Sequence, residues 1–438
     1  MDKAIATREG DDFRFIWEND LHVVMRGVRE SSGDLTAIVN VQYVNGSVES
    51  LMAPSRLNLV APQSRKSLAG LLAARRPMPE MTAEDWTYVI EHACGRTYTL
   101  WERGEPFVEL STLTLPPWDK RELVRGFVPR NDPLTIFADG GSGKSTYAAA
   151  IALSVMTGKE VLPGLPPLAD GPILYLDWES NKNEHGHRLQ GLARHLGLTL
   201  PERFYYRRNY RAFTDDLTAF RREVARLRPV LTIIDSAVPA SGDDIKESAS
   251  PRLLFNGLRA LSEEMASLVL AHMSKAEAEK DQGRSRVMGS VMYENLSRSV
   301  WEGRPSALAP PDTLVTGFYH RKMNGGRRRN PFALKVHYGE DELPRAFERV
   351  DLRAYRDLDD RRQEKDRLYD FLRYGPRTTK DIADALGMTT EGARKACRRL
   401  GMEQIGGGRG AGNAAMWQLP LPGDSPTPEP EDETWWTE

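Results

Sequence analysis

Residues Ala138-Asp139-Gly140-Gly141-Ser142-Gly143-Lys144-Ser145-Thr146 constrain this chain more than any other stretch. They follow an apolar, strand-like run, Leu134 to Phe137, and lead into a small-residue helical run, Tyr147 to Met156. Strand, glycine-rich loop and helix form the order that a phosphate-binding loop needs. The glycines let successive backbone N–H groups turn inward onto a polyphosphate, and the helix N-terminus adds the positive end of its dipole. Asp139 to Thr146 are therefore expected to wrap the phosphates of ATP, with Lys144 reaching the β/γ-phosphates and Ser145 ligating Mg²⁺. The first position of the usual G-x-x-x-x-G-K-[ST] pattern is Ala138, which still permits a tight turn.

At 438 residues the chain is too long for one small domain, and two or three are expected. No apolar run approaches membrane-spanning length, and Met1-Asp-Lys-Ala-Ile lacks the core of a signal peptide, so no membrane is expected. The two cysteines, Cys94 and Cys397, stand far apart without His/Cys partners, which fits a reducing cytoplasm. A formal net charge of −2 says nothing for nucleic acid as an average, but its distribution does.

Residues 1–115 read as a small N-terminal accessory α+β domain. Phe13, Phe15 and Trp17 alternate, as do Ala37, Val39 and Val41, and Val44-Asn-Gly-Ser reads as a turn. Thr82 and Asp85 before a periodic run to Ala93 look like a capped helix. Pro116-Pro117-Trp118 opens a core spanning 116–345, where apolar strands alternate with helices such as Asp216–Leu227 and Pro251–Met265. The strand candidates are Leu134–Phe137, Ile173–Leu176, Leu231–Ile234, Ser267–Ala271 and Val315–Tyr319, with Phe332–His337 last. Such alternation predicts a largely parallel α/β sheet covered on both faces.

Residues 346–363 read as a charged, strand-free linker, and 364–420 as a winged helix-turn-helix. Three helical runs, Glu364–Arg373, Lys380–Leu386 and Glu391–Leu400, precede a hairpin built from Gln404-Ile405 and Met416–Leu419. Arg394, Lys395, Arg398 and Arg399 on the third helix and Arg409 at the wing tip favour duplex DNA; a structural bundle with a solvated charged face reads the same residues. The tail, 421–438, is acidic and proline-rich and is expected to be disordered. Its Trp435-Trp436 pair suits a partner-protein peptide, a cap on a basic groove, or simply a solubilising tail.

Two strand ends carry the remaining chemistry. Leu231-Thr-Ile-Ile-Asp235 is an apolar strand closed by a carboxylate, suited to hold Mg²⁺ opposite Ser145. The next residue is Ser236, where many such sites place their catalytic glutamate. Ile173-Leu-Tyr-Leu-Asp177-Trp178-Glu179 offers a replacement, because the C-terminal edge of an open α/β sheet lines the ligand crevice. Glu179 is assigned as the base that polarises the attacking water, with Asp177 as the alternative and N-capping as the plain reading of either.

A phosphate loop, a catalytic Glu on the next strand and an Asp-ended strand without an adjacent Glu resemble the RecA/DnaB-like ATPases, most of all the RepA family of plasmid replicative helicases. The likeness spans about residues 130–340. It implies that His272, in His272-Met-Ser-Lys275, senses the γ-phosphate. It implies that Arg298, closing Gly289-Ser290…Asn295-Leu-Ser-Arg298, or Arg321/Lys322 before Asn324-Gly325, acts on a neighbouring subunit. Arg188 is similar to a residue packing by the nucleotide, which sets aside a metal reading of Glu184, His185, His187 and His195. Plainer readings stand beside these: a core histidine at 272, an Arg298–Glu294 helix pair, and a solvated loop at Arg327–Arg329.

The resemblance implies a RecA-like P-loop ATPase core and an ATP-hydrolysing, homo-hexameric DNA helicase or translocase of plasmid or phage replication. Single-stranded DNA would run through a central channel gripped by the Lys275–Arg286 loop. A recombination or repair filament ATPase and an ATP-switched DNA-binding regulator are the alternatives.

Overall fold

The computed structural model describes residues 4–9, 12–45, 47–104, 107–114, 121–242, 249–261, 265–273, 287, 291–406 and 415–420. The Pro116-Pro117-Trp118 junction, the Lys275–Arg286 loop, Gly289, Ser290, Arg409 and the acidic tail lie outside the described residues. The chain forms two compact bodies, one of Met1–Pro117 with Asp215–Arg226, the other of Trp118–Thr214 with Leu227–Glu438. Among the described residues no helix is long and apolar enough to cross a membrane.

In the first body, strands β1 (Ile5–Glu9), β2 (Asp12–Ile16), β3 (Leu21–Ser31), β4 (Asp34–Asn45) and β5 (Ser47–Ser50) follow one another in an antiparallel sheet, with β6 (Ser55–Asn58) also on β4. The expected alternation is what builds it: Phe13 pairs with Met25 and Phe15 with Val23, and all four side chains are buried. Helices α1 (Pro62–Arg75) and α2 (Ala83–Arg103) cover that face through Leu72, Trp86, Val89 and Ile90. Thr82 and Asp85 make the full capping box at the start of α2. The helix continues ten residues past Ala93, because nothing stops it before Gly104, whose φ is +67°.

The second body holds a short hairpin, β7 (Glu122–Val124) and β8 (Val128–Pro129), and a nine-stranded sheet. Its strands are β9 (Pro133–Ala138), β10 (Ile173–Asp177), β11 (Phe204–Arg208), β12 (Leu231–Asp235), β13 (Ala266–His272), β14 (Ser299–Pro305), β15 (Thr313–Met323), β16 (Phe332–Tyr338) and β17 (Pro344–Val350). Their order is β11-β10-β12-β13-β9-β14-β15-β16-β17. Every pair from β11 to β14 is parallel, whereas β14 to β17 form an antiparallel meander. The intervening helices are α3 (Lys144–Thr157), α4 (Lys182–His195), α5 (Leu217–Leu227), α6 (Ala237–Ser241), α7 (Ala249–Leu261) and α8 (Met292–Leu296). Residues of α5 up to Arg226 group with the first body.

This corrects the expectation in two places. Val315–Tyr319 and Phe332–His337 belong to antiparallel strands, and β11, β14 and β17 were not foreseen. The sequences of β14 and β17, Ser-Val-Trp-Glu-Gly-Arg-Pro and Pro-Arg-Ala-Phe-Glu-Arg-Val, carry charges that mask a strand pattern. In β14 those charges, Glu302 and Arg304, are buried as an ion pair. The sheet therefore runs to Val350, beyond residue 345.

After α9 (Arg356–Asp359), helices α10 (Glu364–Leu372), α11 (Thr379–Leu386) and α12 (Thr390–Arg399) pack with a small sheet ordered β18 (Arg377–Thr378), β20 (Met416–Gln418), β19 (Glu403–Ile405). Thr378 and Asp381 form a capping box, and Gly387 at φ +69° ends α11. Leu368, Ile382, Cys397 and Trp417 fill the centre, where the Trp417 indole donates to Thr379 Oγ1 at 2.9 Å.

Candidate active site

Strand β9 is wholly buried and ends at Ala138, where the chain leaves the sheet edge. Ala138 is still paired in the strand, opposite His272, so no glycine conformation is demanded there. Gly143 is different. Its φ is +81°, and a Cβ would stand 2.6 Å from Leu314 Cδ2, so only glycine fits. The Gly141 φ is +73°, and these turns bring the loop round to Lys144, the first residue of α3.

Lys144 Nζ donates to the carbonyls of Ala138 at 3.1 Å and Asp139 at 2.8 Å, folding the ammonium across the loop mouth. Burial pushes its pKa down, opposed by the charges of Asp235, Glu179 and Asp139. Ser145 Oγ donates to Asp235 Oδ2 at 2.9 Å, and the Tyr175 hydroxyl donates to the same oxygen at 2.7 Å. Burial raises the Asp235 carboxyl above its usual range despite both bonds.

Parallel register brings the carboxylates together. Asp177 of β10 pairs directly with Asp235 of β12, so both reach the C-terminal edge of the sheet. There the two carboxylates of the Asp177-Trp-Glu179 run part company. Asp177 is fully buried: Oδ1 accepts the N–H groups of Glu179 at 2.8 Å and Ser180 at 2.9 Å, and Oδ2 accepts the Tyr206 hydroxyl at 2.7 Å. His185 Nε2 stands 3.3 Å from that oxygen. Burial opposes its ionisation, but His185 and these donors outweigh it and hold the carboxyl well below its usual range. Asp177 thus caps the turn that aims Glu179.

Glu179 is partly exposed and points into the site. The Ser236 hydroxyl donates to Oε1, and His272 Nε2 lies 3.2 Å from both oxygens. The His272 hydrogen bond, aided by Ser236, keeps the Glu179 carboxyl below its usual range. Lys144, Ser145, Glu179, Arg188, Asp235 and His272 all line one cavity of about 770 Å³. Arg188 is held there by Glu184 at 2.9 Å.

The far wall was not anticipated. Tyr338 and Asp341 to Pro344, from the β16–β17 hairpin, close the cavity opposite the phosphate loop. Gly339-Glu-Asp-Glu between two strand-like runs was the available signal for that turn. Tyr175 and Ser236 were also missed; as a mid-strand aromatic and a lone serine they carry no signature.

Arg298, Arg321 and Lys322 do not join this cavity within one chain. Ser299 of β14 pairs with Leu134 and Met323, four residues short of Ala138, which is about 13 Å at ~3.3 Å per residue. Arg298 lies 3.6 Å from Asp132 rather than pairing with Glu294. Lys322 Nζ donates to the carbonyls of Glu294 at 3.0 Å and Asn295 at 2.7 Å, at the end of α8. Arg321 is held by buried Glu302 at 2.5 Å. Glu302 also binds Arg304 at 2.5 Å, and Arg304 stands 3.5 Å from Asp139 of the phosphate loop.

The donor set fits a magnesium nucleotide. Hydroxyl and carboxylate oxygens, from Ser145 and Asp235, meet on the cavity floor, and inward-turning glycines and an ammonium surround them.

Residues 104–278 match a family model described as an AAA domain. No curated protein matches the chain. Among solved structures, the KaiC-like protein of the hyperthermophilic archaeon Pyrococcus horikoshii OT3 aligns at 13% identity and a TM-score of 0.37. That alignment covers 54% of this chain and 96% of that one. The family match over residues 104–278 and the phosphate loop at the edge of a parallel sheet support reading the middle of this chain as an ATP-binding, nucleotide-hydrolysing domain.

Proposed function

We propose that this chain is an ATP-hydrolysing DNA helicase or translocase of the RepA-like hexameric type, acting in plasmid or phage replication in the cytoplasm. The observation that carries hydrolysis is the placement of Glu179, ionised and steered by His272 and Ser236, in the same cavity as Lys144, Ser145 and Asp235. Ser145 and Asp235 would hold Mg²⁺. When bound, the ion neutralises charge building on the β- and γ-phosphate oxygens. Lys144 leaves its two loop carbonyls to meet the phosphates, and Arg188 with the Tyr338 hairpin encloses the nucleoside end. Glu179 takes the proton of an in-line water, and His272 reads the γ-phosphate through its bond to Glu179.

Arg298 and Lys322 lie toward the strand end away from their own phosphate loop, and neither they nor Arg321 lines its cavity, which supports their use on a neighbouring subunit. Arg394, Lys395, Arg398 and Arg399 on α12 support duplex binding at a C-terminal winged helix, and the acidic tail suits a partner protein. One observation favours the ATP-switched regulator as a second reading. Tyr319 donates its hydroxyl to Leu358 O at 2.5 Å, and Ser306 Oγ donates to Asp357 at 2.8 Å, so the segment leading to the DNA-reading module is tied to the ATPase sheet.

The test is Glu179→Gln in ATP-binding, turnover and strand-displacement assays. ATP binding is retained while DNA-stimulated turnover falls by about 10²–10⁴-fold, the range for a lost general base. Turnover at the wild-type rate would refute the assignment; turnover in the wild type without strand displacement would favour the regulator.

A further inference from the structure

Strand β14 lies inside the sheet, between β9 and β15, where strands ordinarily carry apolar side chains. It nevertheless buries Glu302 completely, at the position paired with Phe137 on one side and Tyr319 on the other. A buried ion pair ordinarily stabilises a fold no better than apolar residues of the same volume, because desolvation offsets its attraction. Stability is therefore a poor account of Glu302, and its contacts give another.

The two carboxylate oxygens serve different partners. Oε1 accepts from Arg304 Nε at 2.5 Å, and Oε2 accepts from Arg321 Nε at 2.5 Å. Arg304 Nη1 in turn reaches Asp139 Oδ2 at 3.5 Å. Two carboxylates and two guanidiniums alternate in this row, so each charge faces one of opposite sign.

Arg321 is mounted at two points. Glu302 grips its Nε and Nη2 edge, and the guanidinium lies over the buried Tyr319 ring, 5.2 Å from the centroid. Tyr319 is itself fixed by its hydroxyl bond to Leu358 O. The Arg321 side chain stays 23% exposed, and among the described residues that grip leaves the Nη1 edge for a further acceptor. The other two cations are placed differently: Lys322 commits its ammonium to two carbonyls, and Arg298 stands half-exposed beside an equally exposed Asp132. An arginine side chain samples many rotamers, and a group that must meet developing charge loses rate when displaced by even about 1 Å. A buried carboxylate fixing one edge of the fork presets the other.

We propose, resting on the shared-site reading above, that Glu302 is the positioning residue for Arg321. It holds the guanidinium preset for the γ-phosphate of a nucleotide bound by the neighbouring subunit, and Arg304 is the counter-cation that keeps Glu302 in place.

Steady-state ATP turnover of mixed assemblies of the full chain tests this. The acceptor chain is Arg321→Ala, which keeps its own Lys144, Glu179 and Asp235. The donor chain is Lys144→Ala, whose own site is dead but whose Arg321 is intact. Mixing the two restores turnover. Adding Glu302→Gln to the donor lowers the restored turnover by about 10²-fold, the effect of a misplaced group, whereas adding it to the acceptor does not. A purely structural role would lower turnover equally from either side. A second donor, Lys144→Ala with Glu302→Leu/Arg304→Met, removes both buried charges; it melts and co-assembles like the plain donor yet restores turnover as poorly as the Glu302→Gln donor. Wild-type turnover by Arg321→Ala alone, or co-assembly of plain donor and acceptor without restored turnover, overturns the shared site through Arg321 and this role of Glu302 with it. If the plain donor restores turnover and either Glu302 donor does so equally well, or if Glu302→Gln costs as much on the acceptor, the shared site stands and the positioning role alone is overturned.

Discussion

Replacing Glu302 tests whether the buried charges beside the phosphate loop are coupled. Glu302 is 0% exposed, and both of its oxygens are engaged, one by Arg304 and one by Arg321. The Arg304 side chain is only 6% exposed, and its other carboxylate neighbour, Asp139, stands at 3.5 Å. Glu302→Leu therefore leaves a guanidinium buried and almost uncompensated, whereas Arg321, at 23%, can turn to solvent. Breaking a buried pair from one side costs about 3–5 kcal/mol. For a domain of this size, ~2–4 °C per kcal/mol converts that into a melting temperature lower by about 6–20 °C. Urea and thermal unfolding, followed by tryptophan fluorescence and circular dichroism, measure it. The companion Glu302→Leu/Arg304→Met removes both charges and should recover most of the loss, since apolar replacements of buried pairs are often neutral. The reasoning fails if the single variant loses less than about 1 kcal/mol, or if the double variant unfolds as readily as the single.

His272→Ala removes the main group holding the Glu179 carboxyl down, so its pKa rises and the acidic limb of the kcat profile moves to higher pH; an unmoved limb contradicts the pairing. Mixing Arg298→Ala with Lys144→Ala chains, each inactive alone, should restore turnover with a maximum at an intermediate ratio. Failure at every ratio, with co-assembly shown, removes the shared site. Deleting 364–438 should weaken duplex binding and flatten its salt dependence; indistinguishable slopes would exclude that module as the DNA contact.

The phosphate loop was legible because it is contiguous: strand, glycines and helix follow one another from Pro133 to Thr157, and their conformations are local. The cap at Thr82 and the alternation of β2 were readable for the same reason. Asp235 and Glu179 were legible as strand ends, but choosing between Asp177 and Glu179 was not. That choice depends on Tyr206, His185 and two backbone N–H groups closing on Asp177, contacts between separate elements. Strand order is equally non-local. Only the insertion of β12 and β13 between β10 and β9 sets Asp235 and His272 beside Lys144. Of the antiparallel edge that carries Tyr338 to the site, β16 was legible but β14 and β17 were masked by their charges, and the Glu302 network reads in sequence as scattered surface charge. Side-chain periodicity reports which face of an element is buried; which element buries it, and in what register, is decided by packing across the whole sheet.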